Sequence, residues 1–307
     1  MKTILAVDST SEILSVSLSE GHNILSEIRD DKSIKHMVNI ISDIDHVLKK
    51  ADKTIKEIDI FALNLGPGDF TGGRIGISII KIFSMLSGNQ VYGFNALDVF
   101  SVGAMLKNIK TISDTVSDSD RTYIIPVMDV RNDEIYFAIY EAGTNDLENK
   151  TIFSFDFEER KYFLNKIFGN FLIKSDELNK KMLQITEQLN LLGNCSCSSC
   201  VKIFKRNISQ KDPEIKNTHK NTNRLERKKS KFILTANAVK TYMSLLEEIK
   251  TEVTLSQSDA EMIIEVENIN PSSKSVNFLA EYSDSFSRET LPIEPVYIRD
   301  FIAFNKK

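Results

Sequence analysis

Glycine is scarce in this chain and then concentrated. It occurs 12 times in 307 residues, about half the share usual in soluble proteins. Yet Gly66, Gly68, Gly72, Gly73 and Gly76 all fall within one short stretch, LGPGDFTGGRIG. A β-rich run at 59–65 leads into it, and a helical pattern at 74–86 leads out. Gly66 and Gly68 permit a backbone turn that other residues resist, and Pro67 stiffens it. Two readings follow. The turn presents backbone N–H groups and a helix N-terminus to an anion, or it is a tight connection that lets helices approach closely. No Gly-Lys-Ser/Thr follows, so it is not a P-loop. Pro67 and the spacing also depart from the dinucleotide fingerprint.

The surrounding pattern alternates strands and helices. Residues 3–7 read as a strand ending at Asp8-Ser9-Thr10. That trio suits either a hydrated metal with nucleotide phosphates or a strand-ending turn bonded to its own backbone. Residues 13–18 alternate apolar residues with serine, the period of a half-buried strand. A further strand is expected at 24–28, giving an antiparallel hairpin. Helical spacing runs over 33–50 and again over 97–107, with a strand at 90–94 between the later helices. The 74–86 helix is apolar around nearly its whole circumference, so it belongs in a core or against a partner. Residues 110–121 read as a polar loop, 123–130 and 134–140 as a second hairpin, 157–188 as mostly helical and 189–192 as a short strand. Helical segments are expected again at 233–250 and 273–282. A hairpin opens each half, as in folds built from two related lobes.

Composition narrows the class. Apolar residues make up 41% and charged residues 27%, an ordinary globular balance. No run reaches the ~18 apolar residues of a membrane span, and the opening ten residues lack a signal-peptide core. A cytoplasmic protein without membrane association is expected. The net charge of -4 conceals a block at 201–232 carrying +8. This block suits either nonspecific contact with nucleic-acid phosphates or a solvated, variable loop. Cys195, Cys197 and Cys200 have metal-like spacing, but a fourth ligand is missing unless His219 supplies it, outside the usual finger spacing. His36 and His46 are ten apart and cannot share a metal from one helix. No nucleophile elbow or zinc-protease motif is present.

The segments ILAVDSTSE, LGPGDFTGGRIG, IPVMDVRNDEIYFAIY, PSSKSVNFLA and EPVYIRD, in this order and spacing, resemble the bacterial TsaB (YeaZ) family. The resemblance covers residues 2 to about 194 and about 271 to 299. It implies an α/β fold of two lobes, the actin, sugar-kinase and Hsp70-like (ASKHA) architecture, with mixed sheets flanked by helices. The expected division is 1–109 for the first lobe and 110–307 for the second, which carries a basic, low-complexity insertion at about 195–232 without a family counterpart.

The implied function is threonylcarbamoylation of the adenosine beside the tRNA anticodon. The chain would be a non-catalytic scaffold and activator of TsaD, with the small ATPase TsaE joining them and tRNA engaged only through the complex. Alone, it would form a homodimer. No cofactor is expected in this subunit; ATP and metal belong to the partners. Asp8, Ser9, Thr10, Gly66, Pro67, Gly68, Phe70, Thr71, Gly72 and Gly76 then form the family motif, a vestigial nucleotide loop. TsaD-type proteins carry a His-x-x-x-His pair, whereas His36 is followed by Ile40 four places on. The second lobe is also poor in the glycines of a nucleotide clamp. The partner surface falls on helices 33–50 and 74–86, with Val38, Ile41, Asp45, Arg74, Ile77 and Lys81 as contacts. The alternative class is an active ATP- and metal-dependent transferase or protease of the TsaD-like family. Asp69 and Gly73 depart from the family's usual serine and larger apolar residue.

Overall fold

The computed structural model describes residues 1–11, 13–30, 36–113, 121–129, 133–144, 153–157, 160–178, 180–182, 184–185, 230–236, 247, 251, 262–268, 272–282 and 293–295. The three cysteines, most of the basic block and the expected strand at 189–192 lie outside these residues. The chain divides into two compact units: 1–107 with 152–155 and 269–307, and 108–151 with 156–268.

The first unit is built on a sheet of strand order β3-β2-β1-β4-β5. Its strands are β1 (Thr3–Asp8), β2 (Leu14–Glu20), β3 (Asn23–Asp30), β4 (Ile60–Gly66) and β5 (Gln90–Asn95). β1, β2 and β3 form an antiparallel meander, while β4 joins β1, and β5 joins β4, in parallel. Parallel neighbours need crossovers. Helix α1 (His36–Lys50) leads to β4 and α2 (Phe70–Ser87) leads to β5. Leu5 and Val7 of β1 and Leu14, Val16 and Leu18 of β2 meet Ile40, Ile44 and Val47 of α1 and Ile77 and Ile80 of α2 in one apolar core. Period-2 alternation sends the opposite residues to the other face.

That other face overturns the expectation of a half-buried β2. Ser15, Ser17 and Ser19 are as fully buried as the apolar residues between them. Helix α5 (Ser273–Glu281) packs on β1, β2 and β4. The Ser273 N–H donates to Ser15 Oγ at 2.8 Å, and Asn277 Nδ2 donates to Ser17 Oγ at 2.7 Å. Serine reads as solvent-facing in a pattern, yet here a distant helix supplies its partners. For the same reason, assigning everything from 110 onward to the second lobe does not hold for α5, which returns to the first unit. Helix α3 (Ala96–Lys107) also packs against α5.

The second unit repeats the scheme. After α4 (Ile109–Ser113), which overlaps the start of the expected loop at 110–121, come β6 (Arg121–Asp129), β7 (Glu134–Thr144), β8 (Phe153–Phe157), β9 (Arg160–Lys174), β10 (Ser230–Ala236) and β11 (Met262–Asn268). Their order is β11-β10-β6-β7-β9-β8. Set aside β8, and β9-β7-β6-β10-β11 has the same third-second-first-fourth-fifth arrangement as the first sheet. β6, β7 and β9 are antiparallel, and β10 lies parallel to both β6 and β11.

Three sequence expectations fail in this unit. Residues 157–188 were expected to be mostly helical, but β9 is a long strand paired with β7 from Glu134↔Lys174 to Thr144↔Tyr162. Its aromatic and branched residues suit a pleated surface, and Phe171 stacks on Phe137 at 5.1 Å. Helical backbone does appear after it, where Leu178, Met182 and Ile185 are buried. Second, the supposed insertion end and the start of a helix at 233 are both strand, because Phe232 and Ile233 are fully buried in β10 between two parallel neighbours. Third, β11 was not anticipated.

Candidate functional site: a glycine-faced helix on the Asp8–Thr10 turn

Helix α2 begins at Phe70, four residues before the expected start. Asp69 is its N-cap: its Oδ1 accepts from the Gly72 N–H at 2.6 Å, satisfying one of the helix's orphan donors. The helix ends at Gly88, whose φ of 74° is the left-handed conformation of a C-terminal cap. The glycine stretch therefore divides. Gly66 has φ of 92° in the turn, whereas Gly72, Gly73 and Gly76 are buried inside the helix. Glycine in a helix interior costs roughly 1 kcal/mol against alanine, so tertiary contact has to offset it.

The contact is the Asp8-Ser9-Thr10 turn. A Cβ on Gly68 would collide with the Thr10 carbonyl oxygen, one on Gly72 with the Ser9 carbonyl oxygen, and one on Gly76 with Ser9 Oγ. Hydrogen bonds join the same elements. Ser9 Oγ donates to the Gly72 carbonyl at 2.9 Å, and the Asp69 N–H donates to the Thr10 carbonyl at 2.6 Å. Close approach is thus what the cluster serves, but between helix and turn rather than between two helices.

Asp8 organises the turn from beneath. It is fully buried. Its Oδ1 accepts from Thr10 N (3.0 Å) and Thr10 Oγ1 (2.9 Å), and its Oδ2 accepts from Asn64 Nδ2 (3.2 Å). Burial pushes the Asp8 carboxyl above its ordinary range; the bonds from Thr10 and Asn64, and the charge of Arg29, pull the other way. Asn64 Oδ1 in turn accepts from the Gly66 N–H at 2.9 Å. Sequence reasoning passed over Asn64. Its only signal was a lone polar residue in the otherwise apolar run IFALNLG.

The expected partner residues separate. Ile41 on α1 is 58% exposed. Asp45 is exposed and pairs with Lys49 at 2.6 Å. Arg74 is exposed, with its guanidinium 3.8 Å from the Phe70 ring centroid. Lys81 is half-buried, and the Val38 side chain lies outside the described residues. Ile77 is a correction: at 4% exposure it belongs to the core of its own lobe. Periodicity could not say which side of an all-apolar helix turns outward. The outward face is Phe70, Arg74, Ser78, Ile82 and Met85, with Leu86 beside it; Ile82, Met85 and Leu86 are 55%, 84% and 80% exposed.

Two mixed sheets of one repeated strand order, the first with α1 and α2 in its crossovers, define an ASKHA-type α/β protein. Comparison with known proteins agrees with this class and narrows it. The family model "TsaD: tRNA N6-adenosine threonylcarbamoyltransferase" matches residues 24–166. The tRNA threonylcarbamoyladenosine biosynthesis protein TsaB of Buchnera aphidicola (Baizongia pistaciae strain) is 27% identical over 63% of this chain and 76% of its own length. TsaB of Escherichia coli is 26% identical over 47% of this chain and 57% of its own length. A second Buchnera TsaB, from Schizaphis graminum, is 32% identical over 34% and 49%. The match therefore spans about half the length of these last two relatives. YeaZ from Pseudomonas aeruginosa superposes with a TM-score of 0.55 at 14% identity, covering 97% of this chain and 100% of that one. A second structure, described as an uncharacterized protein with similarity to peptidase YeaZ from the same organism, has a TM-score of 0.55 at 15% identity. These sequence relatives and fold neighbours support a TsaB (YeaZ) family member.

Proposed function

We propose that this chain is a non-catalytic subunit of tRNA threonylcarbamoyladenosine biosynthesis. In this reading it holds a TsaD-like protein in its working arrangement, and a TsaE-like ATPase joins the assembly. In the absence of that partner it pairs with a second copy of itself. The observation that carries the reading is the outward face of α2. Phe70, Ile82, Met85 and Leu86 are large apolar groups at solvent, beside Ile41 of the adjacent α1. A helix face that holds several large apolar groups at solvent is the composition of an interface.

Nucleotide and metal chemistry is assigned to the partners. The donors that would cradle a phosphate at the Asp8–Thr10 turn are engaged within the chain: Thr10 N with Asp8, Asp69 N with Thr10 and Gly72 N with Asp69. Among the described residues, no group of three or more His, Cys, Asp or Glu side chains is arranged to hold a metal. A role in tRNA modification fits a cytoplasmic location.

The test is reconstitution with TsaD- and TsaE-like proteins and tRNA, scoring modified nucleoside by mass spectrometry. Product should fall to background when this chain is omitted. Full modification without it would overturn the proposal.

A further inference from the structure

We infer that the Asp8–Thr10 turn is a seat that sets the pose of α2, and that Ser9 and Thr10 are positioning residues for the outward face of that helix. The inference rests on the partner-binding role proposed above for that face, but the seat itself can be measured without a partner.

Four observations converge. The first is steric. Gly68, Gly72 and Gly76 follow one another at i, i+4 spacing, and a Cβ on each would collide with the turn: with the Thr10 carbonyl, the Ser9 carbonyl and Ser9 Oγ respectively. Gly73, adjacent in sequence, meets only Thr10 Cγ2 at 3.5 Å, an ordinary contact. Close approach thus belongs to one strip of the helix and not to glycine content in general. The second is bonding. Ser9 Oγ holds the Gly72 carbonyl, and the Thr10 carbonyl holds the Asp69 N–H, at two successive places on that strip.

The third is that the turn cannot yield easily. Thr10 is tied by its N–H and its hydroxyl to Asp8, Asp8 to Asn64, and Asn64 to the Gly66 N–H. The chain of bonds runs from the end of β1, across β4, to the residue that opens the turn into α2. The fourth is direction. Residues two apart on a helix point about 200° from one another. The strip through Gly72 and Gly76 therefore lies opposite the stripe through Phe70, Arg74 and Ser78. Fixing one side of the cylinder fixes the rotation of the other. A helix resting on its turn through backbone atoms has less freedom to roll than one resting on long side chains.

A substitution cycle tests this. Gly76→Ala should weaken association with the TsaD-like partner at least fivefold and speed amide exchange across 70–87 at least fivefold. Gly73→Ala should leave association within twofold of the parent and should not speed exchange. Ser9→Gly removes the colliding atoms, so the double variant Ser9→Gly/Gly76→Ala should bind and exchange within twofold of Ser9→Gly alone. Gly72→Ala, which meets a backbone oxygen, should exceed Gly76→Ala in both readouts; if it fails to fold, the Ser9/Gly76 cycle still decides. Equal effects of Gly73→Ala and Gly76→Ala, or additive effects in the double variant, would overturn the inference. If the parent chain does not bind the partner at all, the proposed function fails instead, and exchange across 70–87 continues to test the seat.

Discussion

Ile77 and Ile82 are five positions apart on one helix and have opposite roles. Ile77 is packed among Ile40, Ile44 and the strands, so Ile77→Glu removes a core side chain and buries a charge. It should destabilise the fold by at least about 3 kcal/mol, read as a lowered urea midpoint. Ile82→Glu replaces an exposed residue and should stay within about 0.5 kcal/mol of the parent. It should nevertheless lose co-purification with a TsaD-like partner; retained association would count against the α2 face as the interface. Asp8 supplies a pH prediction. Its carboxyl is raised in the folded state by burial. A raised folded value means that protonation favours the fold: the benefit is complete below the unfolded pKa of about 3.9 and is lost as pH climbs through the folded value. Asp8→Asn cannot titrate. The stability of the variant relative to the parent should therefore rise as pH increases upward from about 4, in urea titrations at several pH values. The amide also sets Nδ2 against Asn64 Nδ2 or breaks the Thr10 bonds, a cost that does not vary with pH and so leaves the slope intact.

Helices α2 and α5 show how neighbours decide what an element's pattern means. Without its seat, α2 carries three interior glycines and should be a weak helix. With it, Gly72 and Gly76 become requirements, while Gly73 is dispensable. Gly73→Ala should raise stability by up to about 1 kcal/mol, measured by chemical denaturation. α5 is held by polar contacts on a buried face, and Ser19 Oγ, Ser273 Oγ and Asn277 Oδ1 have no hydrogen-bond partner among the described residues. Such a seam depends on the bonds it does make. Asn277→Ala should cost about 1–3 kcal/mol, because Ser17 Oγ loses its donor while staying buried; an unchanged urea midpoint would show that α5 adds little to the first unit.

Across the molecule, the repeated strand order is the main architectural fact, and the sequence displayed it unevenly. In the first unit, short apolar strands and turn residues mark β1, β2, β4 and β5 clearly. In the second, β9 reads as a helix because Leu164, Phe168 and Phe171 also recur at spacings a helix would accept. β10 was hidden at the end of a basic, polar stretch whose composition masked Phe232 and Ile233. β11 alternates in MIIEVEN, a readable strand signal that was passed over. Asn64 belongs to the same class of omission: a polar residue within a strand declares nothing until its partner, eight positions into the chain, is brought beside it.

Some of this protein's character is local and was carried by the residue string. The turn at Gly66-Pro67-Gly68, the apolar circumference of α2 and the paired motifs that mark the family all depend on neighbours a few positions away. Other features depend on segments far apart in the chain. Ser15 and Ser17 are core residues only because α5 arrives more than 250 positions later. Ile77 faces inward and Ile82 outward only because the glycine strip rests on Ser9 and Thr10. A periodic pattern states that a helix has a side to bury; which side is set by the surface it meets, and here that surface is a three-residue turn some sixty positions upstream.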